Sequence, residues 1–312
     1  MDGILNVCKP PGMTSHDVVD YVRQVAGVRR VGHTGTLDPM AAGVLVLCLG
    51  KGTRLAEYLA PEDKSYLAEL TLGATTDTLD IEGKLLSEAD ASSVTEQQVR
   101  AALAGLVGER EQPPPMFSAA KRGGRKLYEL ARQGQTVERQ PRRVRVYEVE
   151  LLRMEPGERA KVLFAVTCSK GTYVRSLCAE VGETLGCGGH LSFLLRTRAG
   201  RYHLAGSRTL EELSDREAIG AALEPLAAAL GHLPLVELTA SQRRILARGQ
   251  PVWISRPPAD TEPADGALAR GCTPEGELVC VGQYAREAER GVLRPKKVLA
   301  DSAGRGPATE PA

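Results

Sequence analysis

The segment Val31-Gly32-His33-Thr34-Gly35-Thr36-Leu37-Asp38-Pro39-Met40-Ala41-Ala42-Gly43 gathers small residues around one carboxylate, immediately before the apolar run at residues 43–49. Its glycines let backbone approach a ligand closely, and Pro39 biases Asp38 away from helical geometry. The run that follows reads as a buried strand, so the segment sets one acid at the mouth of a sheet. Asp-Pro is also a common turn pair, and spacing alone reads equally as loop punctuation.

Working outward, residues 4–7 form a short strand pattern broken by Lys9-Pro10-Pro11-Gly12. Thr14 or Ser15 then caps a helix, with Asp17 near its positive end. Val18, Val19, Val22, Val25 and Ala26 recur at helical spacing, and Gly27 supplies the stop. A polar loop is expected over residues 29–40. Tyr66, Ala68, Leu70 and Leu72 alternate with Leu67, Glu69 and Thr71 as in a strand, and residues 95–107 have helical spacing. Residues 144–152 and 161–168 predict paired strands with a turn near Pro156-Gly157; residues 172–185 predict a helix stopped by Gly186. Strands and helices do not alternate strictly, which favours an α+β sheet over a doubly wound one. A boundary is expected near residues 225–235. Beyond it lie short strand signals such as residues 278–281, a loop at 257–266 expected to be mobile, and a disordered tail at 301–312.

A chain of 312 residues suggests about two domains. Aromatic residues are only 4%, so the core must be largely aliphatic and each Tyr or Phe is informative. Forty basic residues face 39 acidic ones, so the distribution of charge, not its total, must indicate nucleic acid. The seven cysteines lack a framework spacing, which points to reduced thiols and a cytoplasmic setting. No signal peptide is readable, and no run approaches the ~18 apolar residues of a membrane span. Gly50-Lys51 lacks the partners of a phosphate-binding loop, and Cys178, Cys187 and His190 lack zinc spacing. Neither a metal nor a cofactor is expected.

Two further constellations carry chemistry. Ser169-Lys170-Gly171-Thr172-Tyr173-Val174-Arg175-Ser176-Leu177 lies at a strand-to-helix junction, where Tyr173 and Arg175 can project towards one site. They read equally as a packed ring and a solvated cation. Residues 117–145 contain Lys121, Arg122, Arg125, Lys126, Arg132, Arg139, Arg142, Arg143 and Arg145, opposed only by Glu129 and Glu138. Such a cluster tracks a phosphate backbone, with Tyr128 available to stack on a base, or is simply a solvated basic face.

Taken together, these motifs resemble the TruB family of bacterial tRNA pseudouridine synthases. The resemblance rests on Lys9-Pro10-Pro11-Gly12-Met13-Thr14-Ser15-His16, Gly32-His33-Thr34-Gly35-Thr36-Leu37-Asp38-Pro39, Lys64-Ser65-Tyr66 and Gly73-Ala74-Thr75-Thr76-Asp77-Thr78. Pro114-Pro115-Met116-Phe117-Ser118-Ala119, Gly171-Thr172-Tyr173-Val174-Arg175 and Gly189-His190-Leu191 continue it in order to about residue 205. Leu195, before Arg196, and Gly189 depart from residues common in the family, away from the implied chemistry.

The resemblance implies isomerisation of uridine 55 in the T-loop of tRNA, with its base detached at N1, turned and rejoined through C5. It implies a mixed, largely antiparallel sheet flanked by helices over residues 1–230, with residues 117–145 as an RNA-clasping insertion. A small β-rich, PUA-like RNA-binding domain is implied at 233–300. Asp38 would supply the carboxylate, whether by attack on the sugar, addition to the base or proton abstraction, and Arg175 would be its partner. Tyr66 would stack on the base, Tyr173 and Leu191 would line the pocket, and His33 would fill the gap in the RNA. Lys9 and Pro10 would support the site. Lys121, Arg122, Arg125, Lys126, Arg142 and Arg143 would follow the RNA backbone. A monomer binding the T-arm is expected. The competing readings are a protein that helps tRNA fold without chemistry and a metal-dependent RNA hydrolase, the latter disfavoured by ligand spacing.

Overall fold

The computed structural model describes residues 1–59, 63–135, 137–255, 262–287 and 290–301, with the side chains of Lys121, Arg122 and Lys126 also outside the description. Strand β1 (Gly3–Lys9) is the first element, and helix α1 (Ser15–Ala26) follows the Lys9–Gly12 turn. Thr14 caps that helix: its hydroxyl accepts from Asp17 N–H while the Asp17 carboxylate accepts from Thr14 N–H, a reciprocal box. Gly27 ends it at φ 63°, a conformation costly for other residues.

The expected polar loop holds a short strand, β2 (Val31–His33), paired antiparallel to the end of β3 (Ala42–Leu49). Three residues are too few for alternation to reveal. β3 is apolar throughout because both its faces are covered. Leu45, Leu47 and Leu49 pack with Val18, Val19 and Val22 of α1. Val44, Val46 and Cys48 pack on the other side with Cys272, Leu278, Val281 and Leu299 from the end of the chain.

A 3-10 turn (Gly50–Leu55) and α2 (Ala56–Leu59) lead to β4 (Lys64–Leu72), whose Tyr66, Ala68, Leu70 and Leu72 face the core as the alternation predicts. The hairpin β5 (Ala74–Thr76) and β6 (Leu85–Glu88), α3 (Glu96–Ala104) and β7 (Gly108–Gln112) follow. Next come the small hairpin β8 (Lys121–Arg122) and β9 (Arg125–Lys126), then α4 (Leu127–Ala131). The predicted strand pair is β10 (Arg142–Glu155) and β11 (Lys161–Cys168), antiparallel and longer than expected on the β10 side. Helix α5 (Val174–Thr184), β12 (Gly189–Ala199) and β13 (Tyr202–His203) complete a nine-stranded sheet of order β1-β3-β12-β4-β11-β10-β7, with β2 on β3 and β13 on β12. Every pairing in it is antiparallel except β3 with β12, so the fold is α+β, as the irregular alternation predicts.

After α6 (Arg216–Ala222) and α7 (Leu226–Ala229), the remaining chain builds a five-stranded sheet. It comprises β14 (Leu235–Glu237), α8 (Ala240–Leu246), β15 (Val252–Ser255), β16 (Leu268–Cys272), β17 (Leu278–Glu287) and β18 (Arg290–Val298), in the order β14-β16-β17-β18-β15. Residues 257–261 of the expected mobile loop and 302–312 of the expected tail lie outside the described residues.

Candidate active site

Asp38 sits in the loop between β2 and β3, and nearly every peptide around it is fixed by a bond. Thr34 N–H donates to Val46 O at 3.1 Å, Leu37 N–H to Ser15 Oγ at 2.8 Å, and Ser15 Oγ to Leu37 O at 3.1 Å. Gly12 N–H reaches Pro39 O at 2.9 Å, and Ala41 N–H reaches Asp38 O at 3.1 Å. Lys9, fully buried, donates from Nζ to the carbonyls of Pro10, Met13 and Pro39 at 2.8, 2.5 and 3.2 Å. It ties the Lys9–Met13 turn to the loop at Pro39, and Pro10 is its neighbour in that turn. Arg196 donates from Nε, Nη1 and Nη2 to Val44, Thr36 and Gly35 carbonyls at 2.6, 3.3 and 3.1 Å. Gly43 lies at φ 102° where a Cβ would meet Arg196 O at 2.3 Å, so the chain turns there only as glycine.

Arg175, on the first turn of α5, gathers acceptors from three segments. Its Nε lies 3.0 Å from Asp38 Oδ2 as an ion pair without an aligned hydrogen bond, while Nη2 donates to Asp38 Oδ1 at 3.3 Å. Nη1 donates to Asp80 Oδ2 at 3.1 Å and Thr78 O at 2.9 Å, and Nη2 also reaches Phe117 O at 2.9 Å. Burial pushes the Asp38 carboxyl up; Arg175 opposes this most strongly, Asp80 reinforces it, and Lys9 and Arg196 pull down. The guanidinium favours the ionised form, and burial outweighs it. One third of the Asp38 side chain stays open to the cleft.

The cleft, about 350 Å³, is lined by Asp38, Tyr66, Tyr173, Arg175, Leu194 and Arg196 among others. Tyr66 is 8% exposed, and burial pushes its phenol up to about 12, so it is protonated at neutral pH. Tyr173 caps α5, and its backbone is clasped by Gln112, which accepts from Tyr173 N–H at 2.7 Å and donates to Tyr173 O at 3.1 Å. Sequence spacing thus brings Tyr173 and Arg175 to one site across a helix start.

Leu191 does not form the apolar wall; Leu194 does. A bulge in β12 between Leu191 and Phe193 moves the next inward position to Leu194, opposite Ala68, and then to Arg196, opposite Tyr66. Leu191 faces Leu70, fully buried in the core. Its backbone instead holds the Asp80 turn: Ile81 N–H donates to Leu191 O at 2.9 Å and Leu191 N–H to Leu79 O at 3.0 Å. His33 is half-buried outside the cleft lining, its Nδ1 buried without a hydrogen-bond partner, and burial and Arg196 hold its imidazole below the usual range.

Of the basic residues, Arg142 reaches the cleft mouth, Arg143 and Arg125 are exposed, and the side chains of Lys121, Arg122 and Lys126 lie outside the description. Asp80 and Arg196 escaped the sequence reading. The signal for Arg196 was a charge ending the otherwise apolar stretch Phe193-Leu194-Leu195; for Asp80 it was a carboxylate directly after the threonine-rich turn. Among the described residues, no group of three or more His, Cys, Asp or Glu side chains is placed to hold a metal, and no helix is long and apolar enough to cross a membrane.

Two family models match the chain: the TruB family pseudouridylate synthase N-terminal domain over residues 23–174, and the tRNA pseudouridylate synthase B C-terminal domain over residues 175–231. The relative named tRNA pseudouridine synthase B in Pelotomaculum thermopropionicum is 46% identical, over 98% of this chain and 99% of its own. The chain belongs to the TruB family. A TruB relative of the same name in Symbiobacterium thermophilum is 54% identical over 77% of this chain and 79% of its own. Among solved structures, a chain in a Cbf5–Nop10–Gar1 complex superposes with a TM-score of 0.72 at 29% identity, covering 96% of this chain and 85% of that one. A chain in an H/ACA ribonucleoprotein bound to a substrate RNA containing 2'-deoxyuridine superposes at 0.71 with 27% identity, covering 96% and 86%. The two TruB models meet between Val174 and Arg175, inside the cleft itself.

Proposed function

We propose that this chain isomerises uridine to pseudouridine in tRNA, with uridine 55 of the T-loop as its target. The observation that carries the reading is a partly open carboxylate, Asp38, ion-paired to Arg175 at 3.0 Å over a cleft containing Tyr66, in a chain of the TruB family. A uridine in a folded loop must be extruded before its glycosidic bond is accessible. Tyr66 offers the extruded base an aromatic face, an interaction of ~1–3 kcal/mol per base. Tyr173 and Leu194 complete the pocket walls, and the protonated Tyr66 phenol is a proton donor rather than a phenolate. Attack on the sugar, addition to the base and proton abstraction all need an ionised carboxylate oxygen beside the nucleoside. Arg175 favours that form and orients it.

His33 fills the gap left in the RNA, and Arg125, Arg142 and Arg143, with Lys121, Arg122 and Lys126, follow the phosphates around it. Residues 233–300 act as a PUA-like RNA-binding module, a reading supported by the five-stranded sheet beginning at Leu235. The enzyme works as a cytoplasmic monomer without metal or cofactor. The test is pseudouridine formation in a T-arm stem-loop with chelator present. Product establishes the isomerase and its metal independence. No product from folded enzyme that still binds the RNA would favour the tRNA-folding reading.

A further inference from the structure

Arg196 stands on β12 directly opposite Tyr66 and is 2% exposed. The acceptors of its hydrogen bonds are backbone carbonyls at both ends of one loop. Gly35 and Thr36 lie where the chain leaves β2 for Asp38, and Val44 lies where it has entered β3. The apex between them is tied separately, by Ser15 at Leu37 and by Lys9 at Pro39. Tyr66 is the cross-strand partner of Arg196, and both line the cleft. One planar group therefore ties the loop that carries the acid, and it sits on the residue paired across the sheet with Tyr66.

We propose that Arg196 is a positioning residue for the isomerisation: its guanidinium staples the two ends of the Asp38 loop beside Tyr66, so that acid and ring meet the uracil in one geometry. The inference rests on the isomerase reading above. Only arginine suits the task. Its donors diverge from a rigid fork and reach carbonyls at both ends of the loop, whereas a lysine's three donors all leave one nitrogen. The backbone agrees, since Gly43 lets β3 pass so close to Arg196 that a Cβ would collide with the Arg196 carbonyl.

The charge contributes as well as the shape. Asp38 is faced by Arg175 from α5, Lys9 from β1, Arg196 from β12 and Tyr66 from β4, with Asp80 and Glu82 facing it from the turn after β5. Removing Arg196 deletes one of three cations that hold the carboxyl down, and leaves Arg175 and Lys9.

The experiment compares Arg196→Lys and Arg196→Met by single-turnover rate on a saturating T-arm stem-loop across pH, normalised to folded enzyme. Arg196→Lys keeps the charge and loses the fork. Its rate should fall roughly 100-fold with RNA affinity within about threefold, the cost of a small misplacement of reacting groups. Its acid limb should stay in place. Arg196→Met should lose at least as much rate and move the acid limb to higher pH. Hydrogen exchange at residues 34–43 should quicken in both variants while β11 is unchanged.

A wild-type rate in Arg196→Lys overturns the proposal. So do rates that return to wild type after normalisation, or loop exchange that does not change. If wild-type enzyme itself makes no product, the isomerase reading fails instead, and the exchange result still judges whether Arg196 holds the loop.

Discussion

The Asp38 loop and the basic insertion flank the same cleft and are built in opposite ways. In the loop, two buried cations and a buried serine bind the carbonyls of Gly35, Thr36, Leu37 and Pro39. The insertion hangs on two-residue strands, β8 and β9, and a short helix. Among the described residues before β10, its bonds include Leu127 N–H to Ala120 O at 2.8 Å, Tyr128 N–H to Ser118 O at 3.1 Å, and Arg139 Nη1 to Pro114 O at 3.2 Å. Chemistry needs reacting groups pre-placed, whereas a clasp that follows phosphates works by charge and tolerates movement. Arg175 of α5 links the two regions, reaching both Asp38 and the carbonyl of Phe117.

The comparison breaks most sharply at Asp38. Asp38→Asn should cut turnover by roughly three orders of magnitude or more while leaving stem-loop affinity within a few-fold, since removing a reacting group disables a unit that works together. A parallel loss of affinity, measured by filter binding, would mean that the loop also carries the RNA. The insertion should respond the other way. Neutralising Arg125, Arg142 and Arg143 should weaken binding, and each lost phosphate contact should flatten the log–log salt slope by about 0.7–0.9. An unchanged slope would remove the insertion from the RNA path.

Within β12 the contrast is finer. Leu194→Ala should lower kcat/KM by about tenfold through loss of the apolar wall. Leu191→Ala should cost about 2–5 kcal/mol of stability in urea titrations and leave kcat/KM per folded enzyme nearly unchanged. The smallest effect concerns Lys9, whose burial lowers its ammonium to about 8. Turnover should decline several-fold above about pH 8 as the loop loses a charged donor, and that limb should vanish in Lys9→Met. Stability should move oppositely. Between about pH 8 and 10.5 the unfolded chain holds the proton that folded Lys9 has lost, so this group's contribution rises with pH.

Much of this was legible in the sequence, for reasons the structure makes physical. Helix α1 was readable because its cap, its apolar stripe and its Gly27 stop are all local. β4 was readable because only one of its faces holds the regular alternation Tyr66, Ala68, Leu70 and Leu72. The site emerged from Asp38 and Arg175 through motif resemblance, because their 137-residue separation leaves no local trace. Leu194 was hidden by a bulge, which changes the inward period from two to three at a single residue. Asp80 and Arg196 were hidden because burial of a charge depends on partners far along the chain.

β3 divides the apolar residues of its seven-residue run between two owners, one face against α1 and the other against the C-terminal sheet. The far sheet is thus the roof over the strand that starts four residues after Asp38, and Lys297 with Glu57 at 2.8 Å and Lys51 with Asp301 at 2.8 Å stitch its rim. A nonsense change after residue 231 would spare all six cleft-lining residues discussed above and still remove Cys272, Leu278, Val281 and Leu299 from the cluster that holds Val44, Val46 and Cys48. A truncation that leaves every cleft residue in place therefore still thins the apolar packing around the strand that follows the catalytic loop.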